Sequence, residues 1–239
     1  MVACILKVLP ESNLFFGGEK MKERIAISWS GGKDSCFALY QLLQSDEYIV
    51  DSLFTTITEE YSRVSIHGVR ESLLEKQADS LGFPLKKVYI PAECSNEIYQ
   101  ERMDGIMESL KKAGVTAVMF GDILLEDVKS YRENQVREHG LKGVFPIWGQ
   151  NTNTLIRDFL SLGFKTITTC IDSEKLSAPF LGRVVEGGFL DELPPDVDPC
   201  GENGEFHTFC FAGPIFNRKL DITIGNRVDK GRFHFCDLR

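Results

Sequence analysis

The chain has 239 residues, 43% of them apolar and 26% charged, with a net charge of −8. That balance fits one large or two modest globular units; it provides no apolar run long enough to span a bilayer and lacks the basic surplus of a general nucleic-acid binder. The seven cysteines (Cys4, Cys36, Cys94, Cys170, Cys200, Cys210 and Cys236) are odd in number and form no Cys-x-x-Cys. This argues against a zinc ribbon or disulfide framework and makes a reducing, cytoplasmic setting the expectation.

In chain order, residues 1–20 read as an upstream extension or loosely ordered tail, with Met21 as the natural start. Val2–Leu9 is too short and too interrupted, by Lys7, for a signal peptide. Ile25–Ser28 reads as a short buried strand that stops at Ser30-Gly31-Gly32, and Phe37, Ala38, Leu39, Leu42 and Leu43 then resume at helical spacing. Tyr48–Ile57 is β-branched and aromatic, a second strand. A polar stretch, Thr58–Gly68, precedes a helix marked by Val69, Leu73, Leu74, Ala78 and Leu81 and ended by Gly82. Leu85–Ile90 is the third strand. A helix over Asn96–Ala113 follows, and then Val115–Phe120, a continuous apolar run of the kind a parallel sheet buries on both faces. A charged helix fills Glu126–Gly140, and Val144–Trp148 closes the unit, with Pro146 at a sheet edge or element end. Four strand–helix alternations predict a doubly wound α/β parallel sheet with right-handed crossovers.

A domain boundary is expected near Gly149, giving units 21–149 and 150–239. The second begins with a capping cluster, Asn151–Thr154, a helix over Leu155–Leu162 and a strand over Phe164–Ile171. Leu176–Gly204 is rich in Gly, Pro and Asp, and a loop of that length in a compact unit is usually functional. Strand signals return at Phe206–Phe211, Leu220–Val228 and Arg232–Phe235, so the second unit reads as a smaller α+β domain.

The chemistry concentrates in two stretches. A strand, a glycine turn and a helix point free backbone amides at an anion. Gly31 and Gly32 allow close approach, Lys33 adds a charge, Ser30 and Ser35 add hydroxyls, and Asp34 makes sense as a ligand of a Mg²⁺ shared with phosphates. The spacing is not that of a Walker loop. Gly121-Asp122 and the Ser65–Glu71 loop, with His67 at its mouth, lie at other strand carboxyl ends and would border the same site. Asp122 also suits a helix cap. Arg132 and Glu133 are marked because their helix leaves that strand directly. In the second stretch, Asp198–Phe209, a strand would put Glu205, His207 and Phe209 on one face, letting Glu205 and His207 work as base and orienting pair. Cys200 reads equally as nucleophile or structural thiol.

Ser-Gly-Gly-Lys-Asp-Ser resembles the pyrophosphate loop of the N-type ATP pyrophosphatases, which cleave ATP between the α and β phosphates. Together with Gly-Asp-Ile, Pro-Ile-Trp, Phe-Leu-Gly-Arg, Cys-Gly-Glu-Asn-Gly-Glu-Phe-His-Thr and Gly-Pro-Ile-Phe, it makes Met21–Phe216 resemble the diphthine–ammonia ligase family. The resemblance implies an adenine-nucleotide α-hydrolase (HUP-like) first domain and a second domain that holds the acceptor. It implies ATP and Mg²⁺ as cofactors, and adenylation of an acceptor carboxylate, on a protein or a small molecule, followed by displacement of AMP by ammonia. By position, Ser30–Ser35, His67, Gly121 and Asp122 would bind the nucleotide. Lys33, Asp34, Glu202, Glu205 and His207 would serve catalysis. Arg132, Glu133, Cys200, Gly201, Gly204 and Thr208 would face the acceptor. Eukaryotic and archaeal members usually carry Glu where this chain has His207, so the stretch resembles the bacterial branch. No glutaminase signature is present, which makes free ammonium the expected nitrogen source. A homodimer is compatible with this reading, and no membrane or nucleic-acid partner is expected. Two other readings remain: an AMP-forming tRNA-modifying enzyme, and an ATP sensor without catalysis.

Overall fold

The computed structural model describes residues 22–239; the extension expected over residues 1–20 lies outside the described residues. The first sheet holds five parallel strands, β1 (Glu23–Ser28), β2 (Tyr48–Thr58), β4 (Leu85–Ile90), β5 (Ala117–Met119) and β6 (Lys142–Val144), and a short antiparallel β3 (Arg63–Val64) at the end of β2. Leu53 and Phe54 of β2 pair with β1 and also with Leu85 and Lys86, so β4 lies on the other edge of β2. The parallel order is therefore β4-β2-β1-β5-β6, and it reverses between β1 and β5. In a doubly wound sheet a ligand crevice opens at that reversal, beyond the strand carboxyl ends.

The connecting helices are α1 (Lys33–Leu43), α2 (Glu71–Leu81), α3 (Asn96–Lys112) and α4 (Glu126–Glu138). Strand alternation sorts the core. Ile25 and Ile27 of β1 join one apolar cluster with Leu39, Leu73 and Leu74, whereas Ala26 joins another with Met103, Met107, Val118 and Val136.

Beyond Gly149, α5 (Thr152–Ser161) is capped by Asn151, whose side chain accepts the Thr154 amide at 3.1 Å. It leads into β7 (Lys165–Asp172), a short α6 (Gly187–Asp191), β8 (Phe206–Ala212), β9 (Ile224–Lys230) and β10 (Phe233–Leu238). These strands form an antiparallel sheet in the order β8-β7-β10-β9. The apolar cluster beneath α1 continues into it: Phe37 meets Phe159 edge-on with centroids 6.2 Å apart, and Phe159 stacks on Phe164 at 4.5 Å.

Several element boundaries differ from the sequence reading, among them β6, which is Lys142–Val144 and not Val144–Trp148, and β10, which runs on to Leu238. The helix expected from Val69 begins at Glu71, because the Val69 carbonyl takes the Val64 amide at 2.8 Å and closes a loop instead. β5 is shorter than its apolar run, although Val115 and Phe120 are buried with it. β9 starts at Ile224 because Leu220 folds under, its amide bonded to Phe211 O.

One buried carboxylate clamps the loop before α2 to the second sheet. Asp237 of β10 accepts Arg63 Nη2 and Arg70 Nε and Nη2, each at 2.7 Å, and Arg239 Nε at 3.2 Å. The Arg70 guanidinium, helped by Arg63 and Arg239, holds this carboxyl well below the usual carboxylate range. A depressed folded value stabilises the fold above the unfolded carboxyl value and loses that stabilisation as pH falls towards the folded one. Asp237→Asn should cost about 1.5–3 kcal/mol at pH 7. In urea titrations the gap to the unaltered protein should narrow steadily below about pH 4. A gap independent of pH would remove the charged clamp.

Candidate active site

The crevice at the β1/β5 reversal is a cavity of about 1030 Å³, bordered by Ser30–Ser35, the His67 loop, Gly121-Asp122 and the 200–208 stretch. Its floor is the turn after β1. Gly31 adopts φ +78°, a conformation that favours glycine, and a Cβ there would sit 2.7 Å from Leu74 Cδ1. Gly121 is pressed on the first turn of α1, where a Cβ would lie 3.0 Å from the Ser35 amide. Both glycines thus serve close packing around the helix start; Gly121 also lines the cavity, whereas Gly31 and Gly32, expected to contact a ligand, do not.

Two of the turn's amides are already engaged. Gly32 N donates to Ser30 Oγ at 3.2 Å, and Lys33 N donates to Thr208 Oγ1 at 3.0 Å. The amides of Asp34 and Ser35 belong to the first turn of α1, which has no intrahelical acceptor for them. Lys33, only 2% exposed, donates to both Asp34 oxygens at 2.8 Å and lies 5.6 Å from the centre of the Phe206 ring. Burial alone would lower its ammonium; the facing Asp34 carboxylate outweighs that and keeps Lys33 above its ordinary value.

The opposite wall comes from the C-terminal segment. Asp198 and Glu205 fold it: Asp198 accepts the Cys200 amide at 2.8 Å and Thr152 Oγ1 at 2.7 Å, while Glu205 accepts Asp198 N, Asn203 N and Asn203 Nδ2 at 2.9–3.1 Å. This leaves Glu202 in the cavity. Burial first, then the Asp34 charge, pushes its carboxyl up to about 7. His207 meets His67 with ring centroids 4.6 Å apart. Burial and the Lys33 charge push His207 down to about 4, and burial, with His207 beside it, takes His67 well below its usual range. Both rings are therefore neutral at pH 7. The His67 Nδ1 is buried with no hydrogen-bond partner. Ile66, next to it, holds φ +68° while 73% exposed, a strained backbone for a β-branched residue at the rim.

Arg132 Nε lies 2.7 Å from Asp122 Oδ2, an ion pair whose angle is not that of a hydrogen bond, and its guanidinium covers the Phe120 ring at 4.9 Å. Glu133, one residue on, points elsewhere and pairs with Lys129 at 2.8 Å. Glu205, its carboxylate turned to the Asp198 and Asn203 amides and away from His207, does not line the cavity either. Ser30, Lys33, Asp34, Ser35, His67, Gly121, Asp122, Arg132, Cys200, Gly201, Glu202, Gly204, His207 and Thr208 all do. The Cys200 thiol is 1% exposed, donates to Thr152 O at 3.4 Å and is pushed by burial up to about 12, which fits a structural thiol.

The diphthamide synthase N-terminal domain matches residues 23–143, and the diphthamide synthase C-terminal domain matches residues 151–239. The chain belongs to the diphthamide synthase family. Among curated relatives, each named diphthine–ammonia ligase, the protein of Homo sapiens is 24% identical over 220 residues, covering 83% of this chain and 82% of its own length. That of Mus musculus is 25% identical over 232 residues, covering 86% and 85%. That of Schizosaccharomyces pombe is 24% identical over 230 residues, covering 88% of this chain but 38% of its own length.

Sequence reasoning missed Gln77 and Trp29, which meet beneath the turn through a 2.8 Å hydrogen bond. The available signal was a lone amide on the apolar stripe Leu73, Leu74, Ala78, Leu81. It also missed the pairing of His67 with His207, which no spacing encodes. Within this family site the two cavity thiols should differ. At pH 8, iodoacetamide should alkylate the half-buried Cys94 well before Cys200, followed by peptide mass mapping of the native protein. Equal rates would contradict a sealed, protonated Cys200.

Proposed function

We propose that the chain is an ATP-dependent amide ligase of the diphthine–ammonia ligase type. It adenylates an acceptor carboxylate, releasing pyrophosphate, and then transfers the acyl group to ammonia. The observation that carries this reading is the assembly of one cavity from the Ser30–Ser35 turn and the Glu202–Thr208 stretch, in a chain matched along both parts by the diphthamide synthase family.

In the first step an acceptor carboxylate oxygen attacks the α-phosphorus, and the bond from that phosphorus to the bridging β-oxygen breaks. Lys33 and the first-turn amides of α1 meet the charge of the departing pyrophosphate. To do so Lys33 exchanges the Asp34 carboxylate for a phosphate. Asp34 is thereby freed as a hard oxygen ligand, and one or two carboxylates together with substrate phosphates are the usual way Mg²⁺ is held. Among the described residues no group of three or more His, Cys, Asp or Glu side chains is placed to hold a metal ion. Such an ion would supply charge neutralisation at the phosphates. In the second step ammonia nitrogen attacks the acyl carbon, the acyl–oxygen bond to AMP breaks, and a proton leaves the nitrogen.

Glu202 is the base we assign to that proton. Its carboxyl, near 7, is matched to neutral pH, whereas the His207 imidazole, near 4, is too weak a base and Glu205 is consumed by the loop it folds. The neutral His67–His207 pair would line the acceptor side, and the C-terminal segment from residue 150 would carry the acceptor.

The test is AMP and pyrophosphate formation from MgATP, ammonium and a diphthine-bearing protein. AMP should form in proportion to amide and only with ammonium present; ATP binding without cleavage would instead mark a nucleotide sensor. Because the base must be deprotonated, the rate at a fixed concentration of free ammonia should rise with pH through about 7. Glu202→Gln should lower kcat by roughly 10²–10⁴-fold and flatten that limb. A preserved limb in the variant would assign the base elsewhere.

A further inference from the structure

Gln77 is 0% exposed on α2, among Leu73, Leu74, Ala78 and Leu81, where a leucine or methionine would fill the same space. Burying an amide without partners is costly, and here every donor is used. Its Nε2 donates to Gly31 O at 3.0 Å and to Cys210 O at 2.6 Å, and its Oε1 accepts Trp29 Nε1 at 2.8 Å. Two carbonyls can only accept and an indole N–H can only donate, so the network permits one amide orientation.

The same amide touches the bare face of the glycine. A Cβ on Gly31 would stand 2.8 Å from Gln77 Oε1. Gly31 O accepts a second hydrogen bond, from Cys210 N at 2.8 Å. The turn is thus pinned from α2 and from β8 at once, at the left-handed residue that leads into the first turn of α1. Gln77 does not line the cavity; Trp29 does.

We propose that Gln77 is a positioning residue for the nucleotide, fixing Gly31 in its left-handed turn and locking that turn to β8. This rests on the reading of Ser30–Ser35 as an ATP site. It assigns ATP affinity to a side chain that touches no ligand.

The experiment uses the full chain with Trp148→Phe, so that Trp29 is the remaining tryptophan. MgATP affinity is measured by titration calorimetry, and folding by circular dichroism. Gln77→Met, which removes all three bonds, should weaken MgATP binding at least tenfold and shift Trp29 emission. Gln77→Glu keeps the side-chain volume and an acceptor for Trp29 but cannot donate to both carbonyls. It should retain the Trp29 emission and lose affinity to a similar degree, and it carries the test if the methionine variant does not fold. A merely structural amide would lower the melting temperature and leave affinity unchanged. Binding within twofold of the unaltered protein in either folded variant overturns the proposal alone. Failure of the unaltered chain to bind MgATP overturns both the proposal and the nucleotide reading.

Discussion

The free edge of β8 closes on the turn after β1, and most of the site depends on that contact. β8 ends its sheet, so its outer backbone groups have no strand to pair with. The turn supplies partners: Cys210 N reaches Gly31 O, Thr208 Oγ1 takes Lys33 N, and Gln77 bridges Gly31 and Cys210 from below. An edge that would otherwise invite intermolecular pairing is covered. The covering segment is the glycine turn that borders the cavity.

This contact accounts for the distribution of charge. With the turn and the 198–208 stretch apposed, Lys33, Asp34, Asp122 and Glu202 share one partly dehydrated space. Burial and mutual repulsion then raise Glu202 towards neutrality, while the Lys33 cation lowers His207. The two carboxylates closest in sequence part company for the same reason. Glu205 satisfies backbone amides and is spent on folding the loop, whereas the loop it folds delivers Glu202 to the cavity.

The sheet, its helices and the two chemical stretches were legible in the sequence because each is a local pattern: an apolar run, a helical stripe, a glycine turn. Arg132, marked at the helix that leaves β5, does line the cavity. Local pattern failed where a side chain's direction decides. Glu133 is rotated away from Arg132 by one helical step and pairs along its own helix. Strand alternation placed Glu205 and His207 on one face, but Glu205 precedes β8 and curls into the loop behind it. Gln77 and the two-histidine contact come from segments far apart in sequence, and only the closed fold brings them into register. The boundary expected near Gly149 likewise gives no hint that one apolar core runs across that point.

The tie between Gly31 and Cys210 also sets an order of events during synthesis. A ribosome delivers the strands and helices of the first sheet early, and their neighbours are near in sequence, which favours rapid local assembly. The turn after β1 cannot be completed then, because its second set of hydrogen-bond partners lies in β8, which has yet to emerge. A nascent chain stopped before β8 would carry the first sheet with that turn unsupported. The cavity bordered by the turn and the 200–208 stretch therefore closes as one of the last acts of folding.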